Sequence, residues 1–219
     1  MALRLPPFQA LPAPSGKDAE LLEVPLASLQ PTQMCVGMAE IRSRQQDFAQ
    51  DDPKEQRRYL KRKPTPLVRS AAGELWMVDR HHRLRALMEL DPEATAFGYV
   101  VLQLEVSERH LVLEQLHQRG WLYLYDGRGL GPLHPTALPR SLGGTQDDPY
   151  RSLVWKLKRE GLVAAAPLIP FHEFRWGAWL RSRHLPPFSS DRLAPALPAA
   201  RALVRSHAAA HLAGWVGPA

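Results

Sequence analysis

A short apolar run followed at once by a dense charged cluster most constrains what this chain can fold into. The apolar run is 75–78, and the next seven residues, 79–85, hold one carboxylate, two imidazoles and three guanidiniums. Apolar residues then recur at helical spacing, at Leu84, Leu87 and Leu90. The pattern predicts a buried strand that stops where a helix begins.

Such a junction can bind an anion, because the free N–H groups and the positive dipole end of the helix point at whatever lies there. Arg83 and Arg85 can add fixed positive charge, His81 and His82 titrate near neutral pH, and Asp79 can hold a metal ion or a proton. The structural alternative is a capping aspartate and surface arginines, which such junctions commonly carry.

Composition bounds the class of protein. The chain has 219 residues, which suits one domain of moderate size with or without an appendage, and a net charge of +6, which weakly favours an anionic partner. Segment 54–69 carries seven basic residues and only one acid, Glu55, and reads either as a phosphate-facing patch or as a solvated helix face. The single cysteine, Cys35, excludes an intramolecular disulfide and a cysteine zinc cage.

No apolar run approaches the length of a membrane span, and four prolines interrupt the first 17 residues, so that a signal peptide is not expected. We therefore expect a cytoplasmic protein without a membrane partner. Its oligomeric state cannot be inferred.

The remaining pattern alternates short strands and helices. Strands are predicted over 23–26, 64–69, 97–104 and 121–125, and helices over 37–50, 53–62, 82–89 and 107–119. Further helices are predicted to open at 148 with Asp148 as the cap, at 171, and from about 190 with interruptions at Pro195 and Pro198. Ser107 is the predicted cap of the helix over 107–119.

Three segments in this order resemble the ParB/sulfiredoxin superfamily. The opening segment 24–33, with its short strand, Pro31 and Gln33, is similar to that superfamily's first strand and turn, and 64–68 is similar to its second strand. Segment 78–87 looks like the signature box, in which an Asp precedes a helix that ends in Arg-Ala. Segments 33–38, 119–121, 148–152 and 174–176 extend the resemblance to a longer subgroup labelled ParB-like nucleases.

The resemblance implies an α+β fold with a small mixed sheet, followed by a mainly helical C-terminal extension. It divides the chain into a flexible arm at 1–20, a ParB/sulfiredoxin-like domain at 21–105, a subgroup-specific extension at 106–185 and a Pro/Ala-rich, partly helical tail at 186–219.

The chain departs from the superfamily pattern at two positions. The sulfiredoxin cysteine falls at His81, which argues against reductase chemistry, and the frequent box glycine is Arg80. The absence of a convincing helix-turn-helix pattern argues against partition-site binding.

The resulting hypothesis is a phosphate-handling enzyme that cleaves phosphodiester or nucleotide bonds with Mg²⁺. Asp79 would bind the metal ion or orient a nucleophile, and His81 or His82 would act as acid or base. Phosphate binding is assigned to Arg80, Arg83 and Arg85, and further substrate contacts to Gln33, Arg151 and Arg175. Nucleotide or nucleic acid is the expected partner, with a nucleoside triphosphate as a possible cofactor. A small-molecule kinase and a non-catalytic nucleotide-binding or nucleic-acid-binding module remain alternatives.

Other residues that could carry chemistry are more simply explained by a structural role. His207 and His211 have helical metal-ligand spacing but no third ligand, so that solvent-exposed histidines are expected. Trp176 and Trp179, with Phe171 and Phe174, could stack bases, although core or lid packing is the simpler expectation. Cys35 is expected to be a small buried hydrophobe.

Overall fold

The computed structural model describes residues 3–14 and 21–218. Its principal sheet is mixed and has five strands, which are β1 (Leu22–Pro25), β2 (Leu29–Pro31), β4 (Thr65–Arg69), β5 (Leu75–Met77) and β6 (Thr95–Gln103). They are ordered β1-β6-β4-β5-β2, with β4 parallel to β6 and antiparallel to β5. A parallel pair, β3 (Cys35–Val36) and β7 (Gln146–Asp147), links the two halves of the chain.

Seven α-helices complete the described part of the chain, and three of them lie in its last third. They are α1 (Met38–Gln50), α2 (Pro53–Arg62), α3 (His81–Leu90), α4 (Arg109–Gln118), α5 (Pro149–Arg159), α6 (His172–Arg181) and α7 (Leu197–Arg205). Helix α1 packs against both α3 and α5, so it joins the sheet domain to the helical second half. The α+β fold with a small mixed sheet and a helical C-terminal part is confirmed.

Two helices begin as the sequence predicts, because an aspartate followed by proline satisfies their first free N–H groups. Asp52 accepts hydrogen bonds from the backbone N–H groups of Lys54 and Glu55, both at 2.8 Å, in front of Pro53. Asp148 does the same for Tyr150 and Arg151 in α5. The second cap matters for the site because it fixes the first turn of α5, which carries Arg151.

Three local predictions are wrong. Segment 121–125 is buried as predicted but forms only an isolated bridge between Tyr123 and Gln33, because its backbone bonds to irregular segments and finds no regular neighbouring strand. The N-cap position of α4 is Glu108 rather than Ser107, whose hydroxyl lies 3.3 Å from the Glu108 carboxylate. The last helix begins at Leu197 rather than near 190, since proline fits only its first turn.

The N-terminal residues 3–14 contain no helix or strand and lie against the second half of the chain. The backbone N–H of Gln9 donates to the carbonyl of Arg119 at 2.9 Å, and its carbonyl accepts the indole N–H of Trp121 at 2.7 Å. Leu3 and Leu5 pack on a small aromatic cluster around Tyr123. These contacts place the described part of the predicted arm on the body of the protein, whereas residues 15–20 lie outside the described residues and the domain boundaries stay a prediction.

Within the described ranges, each helix is too short or too polar to cross a lipid bilayer.

Candidate functional site

The junction between β5 and α3 has the predicted layout. The strand ends at Met77, and Arg80 forms the N-cap of α3 with a left-handed backbone, φ 73° and ψ 14°. No side chain caps this helix, so the N–H groups of its first turn have no intrahelical or capping acceptor. These groups and the positive dipole end of α3 are therefore open to a ligand.

A cavity of about 710 Å³ lies at this junction. It is lined by the first turn of α3 and by residues of α1, α5, α6 and the loop before α6, together with three residues of the N-terminal arm. Seven of the nine predicted site residues line it, namely Gln33, Asp79, Arg80, His81, His82, Arg83 and Arg151. Residues more than 100 positions apart thus meet in one cavity.

Fixed positive charge exceeds negative charge among the lining residues. The cations are Arg44, Arg80, Arg83, Arg151 and Lys158, and the carboxylates are those of Glu40, Asp79 and Glu173. The net positive charge of the lining therefore favours an anion in the cavity.

Several buried donors in the cavity wall find no acceptor in the described part of the chain. They are Arg80 Nε, Arg83 Nε, His81 Nδ1, and the Nε and Nη1 atoms of Arg151, and the one comparable acceptor is Gln33 Oε1. A buried donor without an acceptor costs about 1–3 kcal/mol. This excess of donors over acceptors favours a ligand that carries acceptor oxygens, such as a phosphate.

Both histidines of the box use a ring nitrogen to accept a backbone hydrogen bond. His81 Nε2 accepts the N–H of Thr32 at 3.0 Å, and His82 Nε2 accepts the N–H of Gly37 at 2.9 Å. Burial lowers the pKa of each imidazole to about 3, with nearby charged side chains also acting on His82. Each ring is therefore neutral at physiological pH with its proton on Nδ1, and their predicted acid/base role stays untested.

A buried ion-pair network forms part of the cavity wall. Arg151 Nη2 lies 2.7 Å from Glu40 Oε2, and Glu40 Oε1 lies 2.6 Å from Arg44 Nη2. Burial opposes the charge on Glu40, but His82, Arg151 and Arg44 outweigh it and hold the Glu40 pKa well below its usual range. Glu173 bonds to Lys158 at 2.6 Å and lies 3.9 Å from Arg151. Despite burial, Arg151 and Lys158 hold the pKa of Glu173 at about 2.

Asp79 differs from the rest of the box because its carboxylate is half exposed, at 48% of the side chain. Its Oδ1 accepts the backbone N–H of Arg80 at 2.7 Å, and its Oδ2 lies 3.1 Å from Arg80 Nη1. It is the carboxylate of the box, and it remains accessible to a ligand, a water molecule or a metal ion at the mouth of α3.

Arg83 combines a buried position with a free donor. Its Nη1 donates to the carbonyl of Lys63 at 3.0 Å, and its guanidinium lies 5.0 Å from the ring centroid of Tyr59. Burial lowers its pKa, although an arginine stays charged under all physiological conditions. These contacts fix the side chain at the end of α2, and its Nε has no hydrogen-bond partner among the described residues.

Two of the predicted anion-binding arginines lie outside this cavity. Arg85 Nη1 donates to the carbonyls of Leu142 at 2.6 Å and Gly143 at 3.0 Å, so it ties α3 to the loop before β7. Arg175 donates through Nε to the carbonyl of Pro170 at 2.9 Å and lines a different cavity. For Arg85 the reason is helical geometry, because residues two positions apart, such as Arg83 and Arg85, do not face the same side of a helix.

Sequence reasoning missed part of the site. Glu40, Arg44 and Glu173 gave only a local signal, such as the i,i+4 spacing of the first two, and nothing in the chain placed them beside Arg151. It also missed Phe8 of the arm and residues 165–170, which form the apolar wall of the cavity together with Phe171 and Phe174.

The described residues contain no cluster of three or more His, Cys, Asp or Glu side chains with the spacing of a metal site. His207 and His211 are exposed, as expected. A divalent cation in the first cavity would therefore have Asp79 as its main protein ligand and would take its other ligands from phosphate oxygens and water, which is how Mg²⁺ commonly binds.

The sheet order, the uncapped α3 and the cationic cavity define an α+β protein with a positively charged cavity at a strand–helix junction. The chain belongs to the family described as "Putative ParB-like nuclease", which matches residues 22–182. A solved structure, protein Atu1540 from Agrobacterium tumefaciens, is 27% identical, with a TM-score of 0.78 over 91% of this chain and 100% of that one. Among curated proteins, no sequence matches this chain.

Proposed function

We propose that this protein is a phosphoesterase that binds the phosphates of a nucleotide or nucleic acid at the N-terminus of α3 and hydrolyses a phosphodiester or phosphoanhydride bond. The observation that carries the proposal is the set of buried, unpaired donors of Arg80, Arg83, His81 and Arg151 in one cavity. Membership of the nuclease-labelled family supports the same chemistry.

The phosphate would accept hydrogen bonds from the first-turn N–H groups of α3 and from Arg80 and Arg83. Arg151 would contribute its free Nε and Nη1 from the opposite side, while its Nη2 stays bound to Glu40. These fixed donors would stabilise the negative charge that develops on the phosphoryl oxygens during bond cleavage.

Asp79 is the residue to which we assign the activation of water. Its carboxylate is exposed at the cavity, whereas Nε2 of both His81 and His82 is occupied by a backbone N–H. The two histidines would act as positioning residues that hold the segments of Thr32 and Gly37 against α3. A bound Mg²⁺ would supply charge neutralisation at the phosphate and lower the pKa of a bound water.

The proposal is tested by ligand binding and turnover on the same protein. Nucleoside triphosphates with and without Mg²⁺ should raise the melting temperature by about 5–10 °C when present at a hundredfold excess over Kd. Phosphate release and cleavage of a fluorescein-labelled oligonucleotide then measure hydrolysis. The family label and the basic helix α2, which touches Arg83 through Tyr59 and Lys63, make the oligonucleotide a necessary substrate in this assay.

Two variants separate binding from hydrolysis. Asp79→Asn should reduce turnover by a factor of about 10²–10⁴ while affinity changes little. Arg83→Gln should weaken binding by about tenfold or more, since a charge-assisted hydrogen bond contributes about 1.5–3 kcal/mol. Arg205→Gln removes one exposed positive charge outside the cavity and should change neither quantity. Binding without hydrolysis in the wild-type protein would leave a binding module, and absence of both would refute the proposal.

A further inference from the structure

A second cavity, of about 490 Å³, lies beside α6 and is distinct from the first. Its walls come from the loop before α6, from one face of α6 and from the segment 211–213. Ile169 and His172 line both cavities, so the beginning of α6 separates them. The function proposed above makes no use of this second cavity.

Its ionisable lining residues are basic. Arg175, Arg183, His172 and His211 line it, and none of its lining residues is a carboxylate. Neither Arg175 nor Arg183 forms an ion pair with any residue that the structure describes. Arg175 uses only Nε, in its bond to the carbonyl of Pro170, and keeps its terminal nitrogens available. The cavity is therefore unfavourable for a metal cation and favourable for an anion.

Two tryptophans on α6 form an aromatic wall. Trp176 donates its indole N–H to the carbonyl of Ala213 at 2.8 Å, whereas the indole N–H of Trp179 has no acceptor among the described residues although 93% of that residue is buried. The guanidinium of Arg183 lies 4.5 Å from the ring centroid of Trp179. Trp179 with its unpaired donor, Arg183 close to its ring, and Arg175 with free terminal nitrogens thus line one cavity.

We propose that this cavity is a second ligand site and that it binds a nucleotide unit, that is, a planar ring joined to a phosphate. The phosphate would pair with Arg175 and Arg183. The ring would pack against the stack of Trp179 and Arg183, with a ring or sugar oxygen accepting the Trp179 indole N–H. The site does not depend on catalysis at the first cavity. Its ligand can be a free mononucleotide or a neighbouring unit of a bound strand.

The indole N–H of Trp179 gives a direct reporter. Its resonance in a ¹H–¹⁵N spectrum is assigned as the indole signal that disappears in Trp179→Phe. The spectrum is then titrated with 5′-adenosine monophosphate, with a short single-stranded oligodeoxynucleotide and with inorganic phosphate. We expect one of the two nucleotide probes to shift this resonance at sub-millimolar concentration, and inorganic phosphate to shift it far less because phosphate lacks the ring.

Two variants locate the effect. Arg183 is exposed and its side chain makes no hydrogen bond within the described ranges, so Arg183→Gln should fold normally and raise the Kd for the nucleotide by about tenfold. Arg83→Gln disables only the first cavity. If the Trp179 shift persists in Arg83→Gln, the ligand is a free nucleotide that binds at an independent site. If only the oligonucleotide produces the shift and Arg83→Gln abolishes it, the ligand is a nucleic-acid strand that spans both cavities.

The proposal is overturned if neither nucleotide probe moves the Trp179 resonance at millimolar concentration. It is also overturned if Arg183→Gln leaves the titration unchanged, or if inorganic phosphate is as effective as the nucleotide. None of these results bears on hydrolysis at the first cavity, which the phosphate-release and oligonucleotide assays measure separately.

Discussion

Arg80 and Phe171 are the two non-glycine residues with a left-handed backbone in the described part of the chain, at φ 73° and 52°, and they cap two helices that open on the same cavity. Each such residue costs about 1–3 kcal/mol, and strain of this kind clusters at functional sites. Neither helix has a side-chain cap. Two uncapped helix N-termini therefore face one cationic cavity, an arrangement that suits a ligand with more than one anionic group.

The strain at Arg80 can be separated from its charge. Arg80→Gly removes the guanidinium and accepts the left-handed backbone without steric cost, whereas Arg80→Ala removes the guanidinium and keeps the strain. Both variants should bind a nucleoside triphosphate more weakly than the wild type. In urea unfolding, Arg80→Gly should be about 1 kcal/mol more stable than Arg80→Ala.

Equal stability of these two variants would show that the backbone at Arg80 relaxes away from the left-handed region once the side chain is removed. The ion pair with Asp79 is lost in both variants, so it cancels in the comparison.

The two buried histidines predict an unusual loss of stability in mild acid. Burial lowers the pKa of His81 and His82 to about 3, while the unfolded chain has histidine pKa values near 6.5. Between these values the unfolded state binds more protons, so stability is complete above pH 6.5 and falls as the pH is lowered. With two protons the slope reaches at most about 2.7 kcal/mol per pH unit.

Unfolding by urea at several pH values between 6.5 and 5 measures this slope, because the carboxylates with lowered pKa contribute only below about pH 4.5. His82→Gln offers an amide oxygen to the N–H of Gly37 and should reduce the slope by about half. His184→Gln, at an exposed position, should leave the slope unchanged. A flat profile in the wild type would mean that the imidazoles become protonated inside the folded protein.

The buried pair of Glu40 and Arg151 should show strong coupling. Removing one partner of a buried ion pair costs about 3–5 kcal/mol, because the other charge is left unpaired. Arg44 and Glu173 reduce that cost here because each can still pair with the charge that remains. We therefore expect the free energy of unfolding to fall by about 3 kcal/mol for Glu40→Gln or Arg151→Gln alone, and by about 4 kcal/mol for the double variant. Urea unfolding of the four proteins completes the double-mutant cycle.

The exposed pair of Arg201 and Glu160 is the matched control, with a nitrogen–oxygen distance of 2.8 Å. Its coupling should stay below about 1 kcal/mol. Additive effects at Glu40 and Arg151 would show that the two charges do not depend on each other for their burial.

Sequence patterns predicted most of the fold because the decisive signals are local. The start of α2 follows from Pro53 at its first position, and β5 and α3 follow from a change of apolar period at Asp79. The strand predicted at 121–125 shows the limit, since alternation of apolar residues indicates burial but does not provide a hydrogen-bonding neighbour.

The site was predictable only where its residues share one segment. The box from Asp79 to Arg83 lies on the cavity because a strand–helix junction carries it there. Packing of α1, α6 and the arm brings Glu40, Glu173 and Phe8 to the cavity. Those contacts join residues far apart in the sequence, so no local sequence pattern predicts them. Arg85 does not line the cavity and bonds instead to the loop before β7, because charge alone does not show which side of a helix faces a cavity.

The N-terminal arm is expected to depend on a single glycine for its place on the body. Gly120 has φ 69°, and a Cβ there would overlap the carbonyl oxygen of Pro7. Gly120→Ala should therefore displace the arm, expose the backbone N–H of Gln9 to hydrogen exchange and remove Phe8 from the wall of the first cavity. Because Phe8 lines that cavity, affinity for a nucleoside triphosphate should fall as well.

Gly161→Ala is the matched control, since Gly161 has φ 74° and a Cβ there would meet no atom within 4 Å. Both variants carry the left-handed penalty of about 1–2 kcal/mol, so any excess loss of stability in Gly120→Ala reports the arm contact. Hydrogen exchange at Gln9 should increase in Gly120→Ala alone. If the Gln9 N–H stays protected from exchange in Gly120→Ala, the contacts of the arm with Trp121 and Tyr125 hold it in place, and Gly120 does not determine its position.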